Sequence, residues 1–106
     1  MSGKISDKGV STQAIHAGED KRSSAGASAP DLVMSSSFLI DEEVSFSANN
    51  LDAESPYIYT RWSNPTIAQL EEKLAALEQA EASIALASGM AATTAVLLQF
   101  LSSGDH

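Results

Sequence analysis

The sequence predicts an α/β fold of which this chain holds the opening: an extended N-terminal arm with one short helix over residues 1–56, then the start of a sheet domain over 57–106. Two observations carry that reading. Apolar residues are sparse and unpatterned up to Pro56, where Ser, Asp, Glu and Asn dominate, and become strongly periodic from Tyr57 onward. The periodic half then runs helix, short apolar stretch, helix, which is the order in which an α/β sheet is laid down.

In the arm, STQAIHAG (Ser11–Gly18) predicts one or two helical turns, with Ser11 as N-cap and Gly18 as the stop. EDKRSSAGASA (Glu19–Ala29) is a small-residue loop closed by Pro30. In Leu32–Ile40 the run Phe38-Leu39-Ile40 is expected to dock on a surface, and Asp41–Glu54 reads as acidic turn. Such an arm buries little against itself and needs another surface to lie on.

Asn64-Pro65-Thr66 opens the clearest element. Asparagine is among the best N-caps, and proline suits the first helical position because its missing donor is not needed there. Ile67, Leu70, Leu74 and Leu77 recur at helical spacing, with Glu71, Glu72, Lys73 and Glu78 on the polar side, so a helix is expected from Pro65 to Gln79. ASIALA (Ala82–Ala87) reads as a buried strand. Met90–Ser102 reads as a second helix ended by Gly104. One strand cannot satisfy its own edges, so the chain is expected to be the beginning of a longer protein.

Composition limits function. Six Lys+Arg against fourteen Asp+Glu give a net charge of −8, which disfavours nucleic acid and anionic membrane surfaces alike. There are no cysteines, hence no disulfide framework and no thiolate metal site. The N-terminus MSGKISDKGV lacks the apolar segment of a signal peptide, and a cytoplasmic location is expected. His16 is read as capping or packing rather than catalytic, and no metal-ligand spacing is present.

Two stretches carry candidate chemistry. At Ser88-Gly89-Met90, between the apolar run and the second helix, glycine permits close approach to the backbone, and the first turn of a helix presents N–H groups with no internal partner. That combination suits an anion. The alternative is an ordinary tight strand-to-helix turn, and neither a Walker loop nor a GxGxxG pattern is present. In Tyr57-Ile58-Tyr59-Thr60-Arg61-Trp62, Arg61 offers a planar fork of donors for phosphate or carboxylate, and Tyr59 a phenol. The alternative there is a strand edge whose aromatics pack locally while Arg61 reaches water.

Together STQAIHAGED, SSSF, YIYTRWSNPT, LEEKLAALEQAEASIALASGMAA and LSSGDH resemble the Cys/Met-metabolism (trans-sulfuration) family of pyridoxal-phosphate enzymes. The resemblance implies the fold-type I, aspartate-aminotransferase-like architecture, and homo-oligomers, dimers of dimers, with the arm wrapping a neighbouring subunit. It implies C–S bond formation or cleavage on a small amino-acid substrate, as in cystathionine γ-synthase, cystathionine γ-lyase or methionine γ-lyase. O-succinylhomoserine sulfhydrylase chemistry is the alternative. SGM with RWSNPT sits nearer these branches than the acetylhomoserine sulfhydrylases.

Residue by residue, the resemblance implies that Gly89 and Met90 give backbone N–H groups to the pyridoxal 5′-phosphate phosphate, with Ser88 in the same turn. Tyr59 and Arg61 match the pair that reaches the phosphate of a neighbouring subunit, and Tyr59 also lies near substrate, in position for proton transfer. The ring-stacking aromatic, the aspartate facing the pyridine nitrogen and the Schiff-base lysine would lie beyond His106. A chain ending there would be inactive alone, and the rival reading is a truncated, non-catalytic product that binds subunits through its arm.

Overall fold

Glycine at position 9 starts the first helix. The computed structural model describes residues 7–19, 23, 25–40 and 56–105, and in it α1 (Val10–His16) takes Gly9 as N-cap, whose carbonyl accepts from Thr12 and Gln13 N–H. Ser11, the expected cap, lies inside the helix. Glycine is an adequate N-cap because it adopts the extended cap conformation without a side chain. The helix ends in a type II turn. Ala17 has φ −64° and ψ 139°, Gly18 has φ +74°, and Glu19 N–H donates to the His16 carbonyl at 3.3 Å. The stop expected at Gly18 is therefore a turn that requires positive φ at its third residue.

Gly18 answers a second demand. A Cβ placed there would sit 2.6 Å from the Gln69 carbonyl oxygen of α2 (Pro65–Glu78). The end of α1 thus comes directly against the α2 backbone. Lys73 of α2 completes the contact by donating to the Ile15 carbonyl at 2.7 Å and pairing with Glu19 at 3.3 Å. A cation at the C-terminal carbonyls of a helix also complements its dipole.

α2 begins where expected: Asn64 Oδ1 accepts from Thr66 N–H at 2.9 Å and Pro65 stands first in the helix. It stops at Gln79, in the left-handed conformation at φ 54°. Of its apolar stripe, Ile67, Leu70 and Leu74 are exposed, and only Ala75 is buried. Among the described residues the buried apolar side chains are Ala17 and Ala75, which is far too little apolar burial for a freestanding core.

Beyond α2 residues 82–86 form no regular element and are tied back to α2 where Ser83 Oγ donates to the Glu71 carbonyl and Ala85 N–H donates to Glu71 Oε1, both at 2.7 Å. This corrects the expected strand. No strand forms there among the described residues, because a ladder needs a neighbouring strand and these bonds run to Glu71 of α2 instead. α3 (Gly89–Phe100) follows, capped by Ser88 Oγ accepting from Ala91 N–H at 3.1 Å. It ends at Phe100 rather than at Ser102. The chain there enters a separate turn, in which Ser102 N–H donates to Asp105 Oδ2 and Asp105 N–H returns to the Ser102 carbonyl. A side chain offering such local bonds competes with helix continuation. Gly104, at φ +105°, belongs to that turn and does not cap the helix.

The arm's described stretches lie on α2. Phe38 meets the Tyr57 ring at 5.6 Å, whereas Leu39 and Ile40 stay exposed, so the expected docking falls on Phe38. The acidic stretch Asp41–Glu54 and the terminal His106 lie outside the described residues.

Candidate functional site

The first half of the site is a tight corner. Residues 36–38 and 58–60 meet as a short antiparallel contact: Phe38 N–H donates to the Ile58 carbonyl at 3.1 Å, Thr60 N–H to the Ser36 carbonyl at 2.9 Å, and Ser37 faces Tyr59. The chain then reverses, with Trp62 and Ser63 N–H both donating to the Tyr59 carbonyl. Two aromatic side chains and a guanidinium gather at this turn. Tyr59 and Trp62 meet edge to face at 6.4 Å, and Arg61 Cζ lies 5.2 Å from the Tyr59 ring centroid. That is cation–π distance. Arg61 is itself exposed, with its donor fork available to an oxyanion.

The second half is the N-terminus of α3. The first helical bond runs from Ala92 N–H to the Ser88 carbonyl, and Ala91 N–H is taken by the Ser88 hydroxyl oxygen. Gly89 and Met90 N–H precede any internal acceptor and point out of the helix end. A Cβ added at Gly89 would meet nothing within 4 Å, so no packing within the described residues calls for glycine there. The space in front of this turn is open. Two backbone donors, a hydroxyl and the positive end of a twelve-residue helix fit a phosphate dianion.

The structure thus brings Tyr59 and Arg61 together, and Ser88, Gly89 and Met90 together. Among the described residues no hydrogen bond, ion pair or ring contact joins the two groups. His16 Nδ1–H donates to Glu19 Oε2 at 3.1 Å, a structural role. The Glu19 carboxyl is lowered from its ordinary value chiefly by the His16 hydrogen bond; desolvation opposes this, and the Lys73 hydrogen bond and charge add to the lowering. No group of three or more metal-ligating side chains occurs among the described residues, and no described helix is long and apolar enough to cross a membrane.

Reading the sequence locally missed one feature of the corner. Asn64, 4% exposed, does more than cap α2: its amide nitrogen donates to the Val33 and Ser35 carbonyls at 3.3 and 3.4 Å. Thr66 Oγ1 accepts from Val33 N–H at 2.9 Å. The sequence signal was the pairing of two polar side chains around Pro65, but their partners lie some thirty positions away.

Residues 11–106 match the Cys/Met metabolism PLP-dependent enzyme family. The chain belongs to this family. It is a family of fold-type I pyridoxal-phosphate enzymes. Relatives include an L-methionine gamma-lyase of Fusobacterium nucleatum subsp. nucleatum, 41% identical over 103 residues, covering 97% of this chain and 26% of the relative. An L-methionine gamma-lyase of Pseudomonas deceptionensis is 40% identical over 106 residues, covering 100% of this chain and 27% of the relative. An O-succinylhomoserine sulfhydrylase of Pseudomonas aeruginosa is 37% identical over 95 residues, covering 90% and 23%. The chain spans about a quarter of the length of these relatives. The trans-sulfuration resemblance read from YIYTRWSNPT and SGM is borne out at the level of the family.

Proposed function

We propose that the chain forms the N-terminal part of a pyridoxal-phosphate enzyme of sulfur amino-acid metabolism that makes or breaks a C–S bond. The reading closest to the methionine gamma-lyase relatives is a γ-lyase; γ-replacement of the kind named for the sulfhydrylase relative is the second reading, favoured by that similarity alone. The cofactor, when bound, supplies an electron sink for carbanion chemistry on the amino-acid substrate. The proposed setting is the cytoplasm.

The observation that carries the proposal is the free N-terminus of α3. Gly89 and Met90 N–H, with the Ser88 hydroxyl hydrogen, would bind the phosphate, and the missing side chain at Gly89 would let it approach the backbone. Arg61 and Tyr59 would supply a cation and a phenol donor. They match the family's Tyr-x-Arg pair that reaches across a subunit interface, and on that ground they are assigned to the phosphate of a neighbouring subunit. Tyr59, held under Arg61, would also hold or move a proton at its phenolic oxygen beside the substrate. The proposed assembly is a homo-oligomer, a dimer of dimers, with residues 1–56 as the arm and 57–106 as the start of the cofactor-binding domain.

The test is direct titration of pyridoxal phosphate onto the complete polypeptide. Gly89→Val should weaken binding at least a hundredfold by displacing the phosphate from two charge-assisted donors worth about 1.5–3 kcal/mol each. It should leave the unfolding midpoint nearly unchanged, since the added side chain meets nothing. Undiminished affinity in Gly89→Val would refute the phosphate assignment.

A further inference from the structure

The turn that carries Tyr59 and Arg61 is closed into a ring of hydrogen bonds, and Asn64 and Thr66 are where the ring is fastened. From Thr66 Oγ1 and the Asn64 amide the bonds pass to Val33 and Ser35. The adjoining residues 36–38 pair with 58–60. Residue 59 then receives Trp62 and Ser63 N–H, and the chain re-enters Asn64. The orientation of the Asn64 amide is settled by its neighbours, since Oδ1 must face the Thr66 N–H donor and Nδ2 is left for the two carbonyls. Val33 is engaged on both its N–H and its C=O, as it would be in a sheet, but by side chains.

We infer that Asn64 and Thr66 are positioning residues: they fix residues 33–35 against the start of α2 and thereby hold Tyr59 and Arg61 in the orientation that meets the cofactor phosphate. This rests on the phosphate reading of Arg61 above. The physical reason is that the turn has little packing of its own. Trp62 and Arg61 are exposed, and the strand contact at Tyr59 is one bridge long. An isolated contact of that kind is not self-supporting. Loosening residues 33–35 would free 36–38, and with them the backbone pairing that flanks Tyr59 among the described residues.

Thr66→Val is nearly isosteric, keeps the backbone N–H that Asn64 caps, and removes only the acceptor for Val33. Thr66→Ser restores that acceptor. Asn64→Ser is the second variant, keeping a cap oxygen and losing both amide donors. Pyridoxal phosphate is titrated onto the complete polypeptide in the Arg61 and Arg61→Ala backgrounds. Thr66→Val and Asn64→Ser should weaken binding about threefold to tenfold with Arg61 present, Thr66→Ser should recover it, and neither should weaken it further in Arg61→Ala. Equal losses in both backgrounds, or no loss with Arg61 present, would overturn the positioning role. If Arg61→Ala alone leaves binding unchanged, the phosphate reading of Arg61 fails by itself. The clasp is then judged by the fluorine resonance of cofactor-free protein labelled with 5-fluorotryptophan and assigned to Trp62. A shift in Thr66→Val that reverts in Thr66→Ser supports the clasp, and an unmoved resonance overturns it.

Discussion

The N-termini of α2 and α3 are built from similar parts and end up opposite in character. Each has a polar cap whose oxygen accepts a backbone N–H, Asn64 for Thr66 and Ser88 for Ala91. At the first helical position, however, one has Pro65 and the other Gly89. Proline removes a donor and fills the space before the helix; glycine keeps the donor and clears the space. Asn64 is buried and its spare donors are spent on residues 33 and 35, whereas Ser88 is exposed and its turn faces open space. One helix end is sealed by its own chain. The other is left with unanswered donors, and that is the difference between a structural corner and the proposed anion site.

Alanine at the two caps should sharpen this contrast. Asn64→Ala removes a cap and the amide donor to the Val33 and Ser35 carbonyls, an expected cost of about 2–4 kcal/mol. Ser88→Ala removes a cap in water and should cost about 1 kcal/mol or less. Amide exchange read at Phe38 and Thr66 for the first variant, and at Ala91 for the second, checks both. Equal costs at the two positions would mean that the Asn64 contacts to residues 33–35 contribute nothing.

A smaller effect is expected where α1 meets α2. The folded-state pKa of Glu19 is depressed, so its contribution is present above the ordinary carboxylate range and is lost as pH falls through the folded value, where the unfolded chain already holds the proton. Exchange of Ala17 N–H, bonded to the Gln13 carbonyl, should therefore accelerate at acid pH beyond its intrinsic pH dependence. Glu19→Gln should abolish that excess. The Lys73 bond to the Ile15 carbonyl is untouched by this titration, so the contact should loosen without opening. An excess that survives in Glu19→Gln would assign the titration to another group.

What could be read from the sequence was local. Asn64-Pro65 with a 3.6-residue apolar period fixes α2 almost to the residue, and Ser88-Gly89 marks the start of α3. The misjudged features each depended on something outside their own window. Residues 82–86 have strand composition but no strand to pair with. Gly104 follows a helix that Asp105 had already drawn into a turn. Gly18 reads as a simple stop because nothing near it in sequence announces Gln69. The double role of Asn64 was hidden for the same reason. At the site, residue types and family spacing pointed to Tyr59, Arg61 and Ser88–Met90, while the contacts that group Tyr59 with Arg61 and Ser88 with the start of α3 appear only in three dimensions.

The proposed cross-subunit role of Arg61 makes subunit complementation the most direct measurement of the central claim. Gly89→Val should disable the phosphate turn of its own subunit, and Arg61→Ala the contact made to a neighbour. In a mixed dimer of the two inactive variants, one site then carries both lesions and the other neither. If Arg61 reaches across the interface, subunit exchange should restore cofactor binding and activity to about half of the sites in such mixed dimers, with affinity close to the unsubstituted protein. Mixed dimers that form, shown by mass, yet hold no site of normal affinity would place Arg61 in its own subunit's site and contradict the account.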